Sequence, residues 1–462
     1  MRISLIIFRD LLFMQTNQLN SSTGRSLPRI LFVLMTKIRK DDPVNLLFRA
    51  QFGSWDKKDL AQVHANADPS GEGEFCGSYY RLSECDRFLG GVFLNIRKTV
   101  FKMVKMEDIS EPSHGTSKSF FARLLKMTKK FFGDTLVSSG LWELLFFVRL
   151  SKPLQKFVSD FKPDIIYCQG YSLGFTVLPL LISKKLNIPI CFQTTDDWPA
   201  FTYKNSLAGW ILRREVQKLV SRSSLCFAFG EKMKNEYQRR YGVSFHVTYH
   251  LDDVNRFRVF AENLDSDNKR IIFTGSLGLN RHECIADLYK AILSLRKNGV
   301  PVVLDVYCTG LPKEIPEEIR TSTVVRFFPL PSHEDLGRVL KSADILFLPE
   351  SFNVDQAKLS LSISTKCHLY MMAERPVLLY GPDYAGSMEY ASSNGWGMVV
   401  SQRDLVVLSA AVMRLLEEVP LKQHLAQRSA ECLRMNHDIK VFQDVFVARI
   451  VRSMEQPASI DA

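Results

Sequence analysis

Short apolar runs alternate with longer stretches of helical spacing from residue 29 onward. Apolar runs of about four to eight residues indicate buried strands, whereas apolar residues that recur every third or fourth position indicate amphipathic helices. In the first half of the chain, the predicted strands cover residues 29–35, 163–169, 188–194, 224–229 and 244–250. Because strands that alternate with helices form parallel sheets covered on both faces, this half predicts an α/β domain.

A second series of the same kind follows a polar segment at residues 260–270. Its predicted strands cover residues 271–275, 301–310, 324–330, 344–349, 375–381 and 397–400. Two such series joined by one linker predict an α/β fold with two doubly wound, Rossmann-like domains that face each other across a central cleft. Ligands of such domains bind at the carboxyl ends of the strands.

The predicted organisation has five parts along the chain. They are an N-terminal extension at 1–27, a first domain at 28–259 with an insertion at about 36–160, a linker at 260–270, a second domain at 271–435 and a closing helix at 436–452. The extension does not predict a signal peptide, because Arg9 and Asp10 interrupt its apolar run and no cleavage site follows. We expect it to be disordered, with a short surface-binding helix as the alternative. The insertion is rich in glycine, serine and aspartate and then basic, which is why it predicts an elaboration of the first domain.

Composition narrows the class of partner and the compartment. The chain carries 60 lysine and arginine residues against 49 aspartate and glutamate residues, a net charge of +11. This balance favours an anionic partner, such as a nucleotide, a nucleic acid or an acidic membrane surface. The nine cysteines lie singly without a CxxC pair, which argues against a disulfide framework or a zinc site and favours a reducing cytoplasm. The sequence has no apolar run of about 18 residues, so it predicts no membrane span.

Two turns between a strand and a helix in the second domain place polar groups at a helix start. In the first turn, Gly275 and Gly278 allow a ligand to approach the backbone, and Arg281 adds a fixed positive charge. In the second turn, Thr365 and Lys366 add a hydroxyl and a cation. Lysine is unusual at this position because the positive end of a helix dipole favours an acid, and a bound anion would explain it. The alternative is an N-cap followed by a solvated lysine.

Several segments together carry a family resemblance. In the second domain they are "FTGSLGLNR", "VVRFFPLPSHEDLGRVLKSADILFLPESF" and "STKCHLYMMAERPVLLYGP", and in the first domain "FKPDIIYCQG" and "TTDDWPAFTYK". On these segments, residues 29–452 resemble the GT-B glycosyltransferases, specifically the retaining, family-4-like kind that uses nucleotide sugars. The resemblance also implies that the closing helix crosses back to the first domain.

The resemblance implies a role for particular residues. Arg281 and Lys366 stand where the family binds the donor diphosphate, and Asp197 stands as a candidate orienting group for the acceptor hydroxyl. The remaining implied donor-binding residues are Gly275, Ser276, Phe328, Pro329, Leu330, Ser364 and Thr365, of which residues 328–330 would pack on the nucleotide base. The implied acceptor-side residues are Gln169, Gly170 and Asp196.

The chain also departs from the family pattern. Leu361 and Leu369 occupy the positions at which family members commonly carry paired glutamates, and Ser276 stands in place of a second donor arginine. Asp196 and Asp197 are adjacent and do not form a DxD metal motif. The resemblance therefore implies a reaction without a metal, and without a cofactor because the nucleotide sugar is a substrate. A turn residue is the alternative interpretation of Asp197.

A basic amphipathic segment, "SKSFFARLLKMTKKFF", occupies residues 117–132. On a helix its apolar residues fill one side and its basic residues fill the other. This pattern predicts peripheral contact with an anionic membrane. The alternative is a helix that packs on the domain core and leaves a solvated basic face.

The predicted function is transfer of a sugar from a nucleotide-diphosphate sugar to a saccharide or lipid-linked saccharide acceptor, as the resemblance implies. We expect a cytoplasmic enzyme of surface polysaccharide biosynthesis, at the inner face of the cytoplasmic membrane if the membrane prediction holds. The missing glutamates leave open a catalytically degenerate GT-B domain that acts as a binding or scaffold subunit. A GT-B epimerase would need a cluster of acids and histidines that the sequence does not reveal. No nucleic-acid partner is expected, because no motif that reads nucleic acid is present.

Overall fold

The computed structural model describes residues 27–39, 46–66, 74–87, 139–140, 143–144, 147–261 and 267–455. The strands within these ranges are β1 (Ile30–Val33), β2 (Leu60–His64), β3 (Ser78–Arg81), β4 (Ile165–Cys168), β5 (Ile190–Thr194), β6 (Leu225–Phe229), β7 (His246–Thr248), β8 (Lys269–Thr274), β9 (Val302–Tyr307), β10 (Val325–Phe328), β11 (Ile345–Pro349), β12 (Val377–Tyr380) and β13 (Met398–Val400). Each apolar run that predicts a strand forms one. Central strands such as β1 and β4 are buried along their whole length, as apolar runs without alternation predict.

Helices connect most of these strands. They are α1 (Leu46–Gln51), α2 (Lys152–Phe161), α3 (Leu173–Leu186), α4 (Trp198–Phe201), α5 (Leu207–Arg222), α6 (Glu231–Tyr241), α7 (Arg281–Lys297), α8 (Glu317–Arg320), α9 (Leu336–Lys341), α10 (Gln356–Leu359), α11 (Lys366–Met372), α12 (Gly386–Asn394), α13 (Leu405–Glu417), α14 (Val419–Asn436) and α15 (Ile439–Glu455). Local chemistry sets several of their ends. Ser172 accepts a hydrogen bond from the backbone N–H of Phe175 at the start of α3, and Gly242 ends α6 in the left-handed conformation.

The first sheet has the strand order β3-β2-β1-β4-β5-β6-β7, and neighbouring strands are parallel. In this register Ile30 of β1 lies opposite Leu60 of β2 and Ile165 of β4. The direction of strand succession reverses between β1 and β4, which is the switch point at which doubly wound sheets open a crevice.

The second sheet has the order β10-β9-β8-β11-β12-β13, and its strands are also parallel. Its switch point lies between β8 and β11, so the residues that follow Thr274 and Pro349 meet at one crevice. Two sheets of this kind confirm the predicted fold class. Separate apolar clusters form on their faces, for example around Phe273 and Leu288 in the second domain.

Two strands of the first sheet lie inside the range that was predicted to be an insertion at about 36–160. Residues 60–64 form the fully buried β2 beside β1, and residues 78–81 form the edge strand β3. These residues therefore belong to the sheet and are not an elaboration of it. The polar side chains of Gln62 and His64 hide the strand pattern, although both are fully buried.

The last helix, α15, follows the second domain but packs on the first. Phe446 of α15 is fully buried and its ring lies 5.1 Å from the ring of Phe52 and 5.3 Å from that of Phe227. Edge-to-face and tilted aromatic pairs stabilise a folded protein by more than the burial of their apolar area alone. The end of the described chain is thus fixed to the first domain.

Candidate functional site

Lys366 and Gly275 meet at the switch point of the second sheet. Gly275 directly follows β8 and has a φ of 128°, a conformation that side chains rarely adopt. A Cβ atom at this position would lie 2.4 Å from Cε of Lys366 and 3.0 Å from its Nζ. Because Gly275 has no side chain, the side chain of Lys366 can occupy this space. Its Nζ lies 5.6 Å from the ring centroid of Phe273.

The surroundings of Lys366 disfavour its positive charge. Burial, and after it the nearby charge of Arg281, lower the pKa of Lys366 to about 8, while Glu350 and Cys367 partly oppose this change. Desolvation and a like charge both penalise an ammonium group. An anion that enters here would relieve the penalty, so the lysine is suited to bind a negative ligand near neutral pH.

Arg281 is the first residue of α7 and is held by groups at the end of β11. Its Nη2 lies 2.9 Å from Oε2 of Glu350, and its Nε donates to the carbonyl oxygen of Pro349 at 3.2 Å. The side chains of Arg281 and Glu350 are 14% and 4% exposed. The arginine is therefore oriented from two sides before any ligand arrives.

Glu350 is the residue of this cluster that the sequence analysis missed. Its Oε1 accepts a hydrogen bond from Oγ of Ser387 at 2.9 Å. The same Oγ accepts one from the backbone N–H of Ser364, also at 2.9 Å. The signal was available in part, because Glu350 directly follows Pro349, the last residue of a strand beside the switch point.

The other predicted donor residues lie around the same edge of the sheet. Oγ of Ser276 accepts a hydrogen bond from the backbone N–H of Gly278 at 3.0 Å, which shapes the turn after β8. Ser364 accepts one from the backbone N–H of Lys366 at 3.3 Å, whereas Thr365, at the N-cap position of α11, makes no side-chain cap hydrogen bond. The structure thus brings the predicted Ser364 to the cluster through Ser387 and leaves Thr365 exposed.

The predicted base-binding segment lies at the carboxyl end of β10. The ring of Phe328 stacks on that of Tyr307 in β9, with centroids 4.9 Å apart and an interplanar angle of 21°. Pro329 and Leu330 follow the strand and are exposed, Leu330 to 41%. Exposed apolar residues beside a stacked aromatic pair offer a surface on which a nucleotide base could stack. The role of these residues in binding a base stays a prediction.

Asp197, the predicted acceptor-orienting residue, lies in a buried ion pair. Nη1 and Nη2 of Arg240 lie 2.6 and 2.9 Å from its two carboxylate oxygens. The hydroxyl of Tyr237 donates to Oδ1 of the same carboxylate at 3.1 Å. Asp197 is 3% exposed, so both of its oxygens are engaged within the first domain. These contacts agree with the turn-residue interpretation, but Asp197 and Arg240 also line the cavity described below, and a contact of Asp197 with an acceptor stays a prediction.

The neighbouring Asp196 bridges the two domains. Its Oδ1 accepts a hydrogen bond from Oγ of Ser362 in the second domain at 2.8 Å. Its Oδ2 accepts one from the hydroxyl of Tyr171 at 3.3 Å. Gln169 and Gly170 follow β4 nearby, and a Cβ atom on Gly170 would lie 2.6 Å from the ring of Trp198. The predicted acceptor-side residues thus follow β4 and β5 on the first sheet, and Asp196 contacts the second domain.

A cavity of about 590 Å³ opens between α6 and the second domain. Charged side chains from both domains line it, among them Glu231, Lys232 and Glu389. Leu361, which stands at one of the positions of the missing glutamates, also lines this cavity. None of the donor-side residues Arg281, Glu350 and Lys366 belongs to this lining, so the cavity and the charge cluster are separate features.

A protein-family model matches part of the chain. Residues 133–254 match the family model described as Glycosyltransferase Family 4. No curated protein sequence matches the chain significantly.

Solved structures resemble the chain over nearly its whole length. Anabaena HepE in complex with UDP and glucose has a TM-score of 0.58 at 12% identity and covers 93% of this chain and 100% of its own. Sucrose-phosphate synthase from Thermosynechococcus elongatus has a TM-score of 0.59 at 11% identity, covering 92% and 99%. The UDP-forming α,α-trehalose-phosphate synthase from Burkholderia vietnamiensis has a TM-score of 0.56 at 12% identity, covering 92% and 100%. These similarities confirm the GT-B fold and the predicted resemblance to glycosyltransferases of that fold.

Proposed function

We propose that this chain, which has the GT-B fold, is a glycosyltransferase that moves a sugar from a nucleotide-diphosphate sugar to a saccharide or lipid-linked saccharide acceptor. The observation that carries the proposal is the placement of Arg281 and Lys366 together at the switch point of the second sheet. Switch points of doubly wound sheets are where such folds bind nucleotides. The similar Anabaena HepE was solved in complex with UDP and glucose, which supports a donor of this class.

The two cations fit the chemistry of the leaving group. When the bond between sugar and phosphate breaks, negative charge develops on the departing diphosphate, and fixed cations stabilise it without reorganisation. Arg281 supplies a permanent charge, and Lys366, with its pKa lowered to about 8, gains affinity for its proton as the phosphate charge grows.

We infer a retaining, metal-independent reaction from the resemblance to the family-4-like enzymes. In such a reaction the acceptor attacks from the side of the leaving group, and a diphosphate oxygen can accept the acceptor's proton. This route needs no side-chain base, which agrees with the engagement of Asp197 by Arg240. A role in surface polysaccharide biosynthesis, in the cytoplasm, completes the proposal. The competing function is a degenerate GT-B subunit that binds a nucleotide sugar without transfer, which the leucines at 361 and 369 favour.

A thermal-shift screen with UDP, GDP, ADP and dTDP tests the donor site. A ligand that binds the native state raises the melting temperature, with about 2.7 kcal/mol of stabilisation at a hundredfold excess over Kd. We expect one of the four to raise it at millimolar concentration in the unmodified protein, and a smaller rise in Arg281→Gln. No rise with any of them would contradict the proposal. Binding without turnover of any nucleotide sugar would favour the degenerate subunit.

Contact with an anionic membrane stays a prediction, because residues 117–132 lie outside the described residues. None of the helices in the described part of the chain combines the length and the apolar character that a membrane crossing needs. Sedimentation with anionic vesicles tests the contact. We expect binding that weakens as salt rises, since screening acts over about 10 Å at 0.1 M, and binding that is absent or insensitive to salt would contradict the prediction.

A further inference from the structure

Glu350 joins parts of the second domain that lie far apart in sequence. Its carboxylate contacts Arg281 through Oε2 and Ser387 through Oε1, and Ser387 in turn holds the backbone N–H of Ser364. These groups stand at or near the starts of α7, α12 and α11. One carboxylate therefore connects the segments that carry the two proposed donor cations, Arg281 and Lys366.

The backbone of Glu350 is fixed as firmly as its side chain. Its N–H donates to the carbonyl oxygen of Tyr380 at 2.8 Å, and its own carbonyl oxygen accepts from the thiol of Cys284 at 3.5 Å. A Cβ atom on the adjacent Gly381 would lie 2.5 Å from that carbonyl oxygen, so the neighbouring strand approaches closely. A side chain held in this way presents its charge at a fixed place.

We propose that Glu350 is a positioning residue of the donor site, whose carboxylate orients Arg281 and places a negative charge at the segments that carry the two donor cations. The assignment of a diphosphate as the ligand rests on the proposed function. The charge relations do not depend on it, because they follow from contacts within the protein.

The physical need for a carboxylate comes from the two cations. Arg281 and Lys366 lie close enough for the arginine to lower the pKa of the lysine, so without a negative charge the pair would repel. A buried arginine without a partner would also carry a large desolvation cost. Glu350 offsets both the repulsion between the cations and the desolvation cost of the arginine, yet its charge repels the diphosphate. The carboxylate therefore orients the cations at the cost of some affinity for the diphosphate.

The test measures the protonation of Lys366 directly in the Glu350→Gln variant. Acetic anhydride reacts only with the neutral amine, so the extent of Lys366 acetylation against pH, read by mass spectrometry, gives the midpoint of its titration. In the unmodified protein we expect a midpoint near 8. Since Glu350 raises the pKa of Lys366, its loss should move the midpoint to lower pH and raise acetylation at pH 7 at least about threefold, which corresponds to about half a pH unit.

Ser387→Ala is the matched control, because it removes a hydrogen bond of Glu350 but leaves the charge in place. Its midpoint should stay near that of the unmodified protein. If Glu350→Gln does not fold, Glu350→Asp takes its place, since the shorter side chain withdraws the charge and should also lower the midpoint.

An unchanged midpoint in a folded Glu350→Gln protein would overturn the inference. That outcome is distinct from failure of the proposed function. If the midpoint moves as expected but no nucleoside diphosphate binds, the positioning role stands and the donor assignment falls.

Discussion

Asp197 in the first domain and Lys366 in the second are both charged residues beside the cleft, yet their surroundings differ. Two nitrogens of Arg240 lie within 2.9 Å of the carboxylate of Asp197, and the hydroxyl of Tyr237 adds a third contact. Among the described residues, Lys366 forms no ion pair within 4.0 Å, and burial lowers its pKa to about 8. The first charge is satisfied within the protein, whereas the second is not.

We propose that this difference separates charges that serve the fold from charges that serve a ligand. A buried charge that is fully paired stabilises its surroundings as long as both partners remain. An ionisable group whose charged form is disfavoured by its surroundings is more often found at functional sites, because a bound ligand can supply the missing stabilisation. The sequence placed Asp197 and Lys366 in the same site, and the structure separates them by this criterion.

The largest effect should come from Asp197→Ala, and it should fall on stability. The substitution leaves Arg240 without its bidentate partner in a mostly buried place, since the side chain of Arg240 is 28% exposed. Loss of one partner from a buried pair costs about 3–5 kcal/mol, and the partial exposure of Arg240 and its remaining ion pair with Glu236 favour the lower end. Urea unfolding should therefore show a free energy of unfolding lower by about 3 kcal/mol.

Asp196→Ala is the control next to it in sequence. Asp196 accepts only hydroxyl hydrogen bonds, from Ser362 and Tyr171, so its loss should cost about 1 kcal/mol. If Asp197→Ala instead keeps its stability and loses transfer of sugar, Asp197 acts on a substrate and the contrast with Lys366 is wrong.

Much of the fold could be predicted from the sequence, because the central strands, such as β1, β4 and β11, are buried on both faces and appear as uninterrupted apolar runs. β2 could not, since Gln62 breaks the run. In the structure its Oε1 accepts from the backbone N–H of Ile38 at 3.1 Å, and its Nε2 donates to the carbonyl oxygen of Thr36 at 2.8 Å. When a buried polar residue forms its hydrogen bonds with a distant loop, the local pattern of apolar residues does not predict its burial.

The same reason explains which part of the site the sequence missed. Arg281 and Lys366 could be predicted because each follows a glycine or N-cap signal close to it in the chain. The partners of Glu350 are 69 residues away at Arg281 and 37 residues away at Ser387. Only the order of the sheet brings them together. The family match falls on residues 133–254, although the predicted site came mainly from the second domain.

The smaller effect should come from Lys366→Ala, and it should fall on ligand affinity. Removal of the cation deletes a charge-assisted contact worth about 1.5–3 kcal/mol. The affinity for the nucleoside diphosphate found in the thermal screen should therefore fall about tenfold to hundredfold. Calorimetric titration below pH 8 measures this, because the lysine is protonated there and contributes its full charge.

Stability separates this variant from Asp197→Ala. Lys366→Ala should unfold at the same urea concentration or a higher one, because it removes a charge that burial and Arg281 disfavour. Lys290→Ala provides the control, since this exposed lysine of the same domain should change neither affinity nor stability. Lys366→Arg should recover only part of the affinity, because a planar fork does not fit the space that Gly275 leaves for a straight chain. Undiminished affinity in Lys366→Ala, together with its loss in Arg281→Gln, would show that the lysine is not a ligand contact.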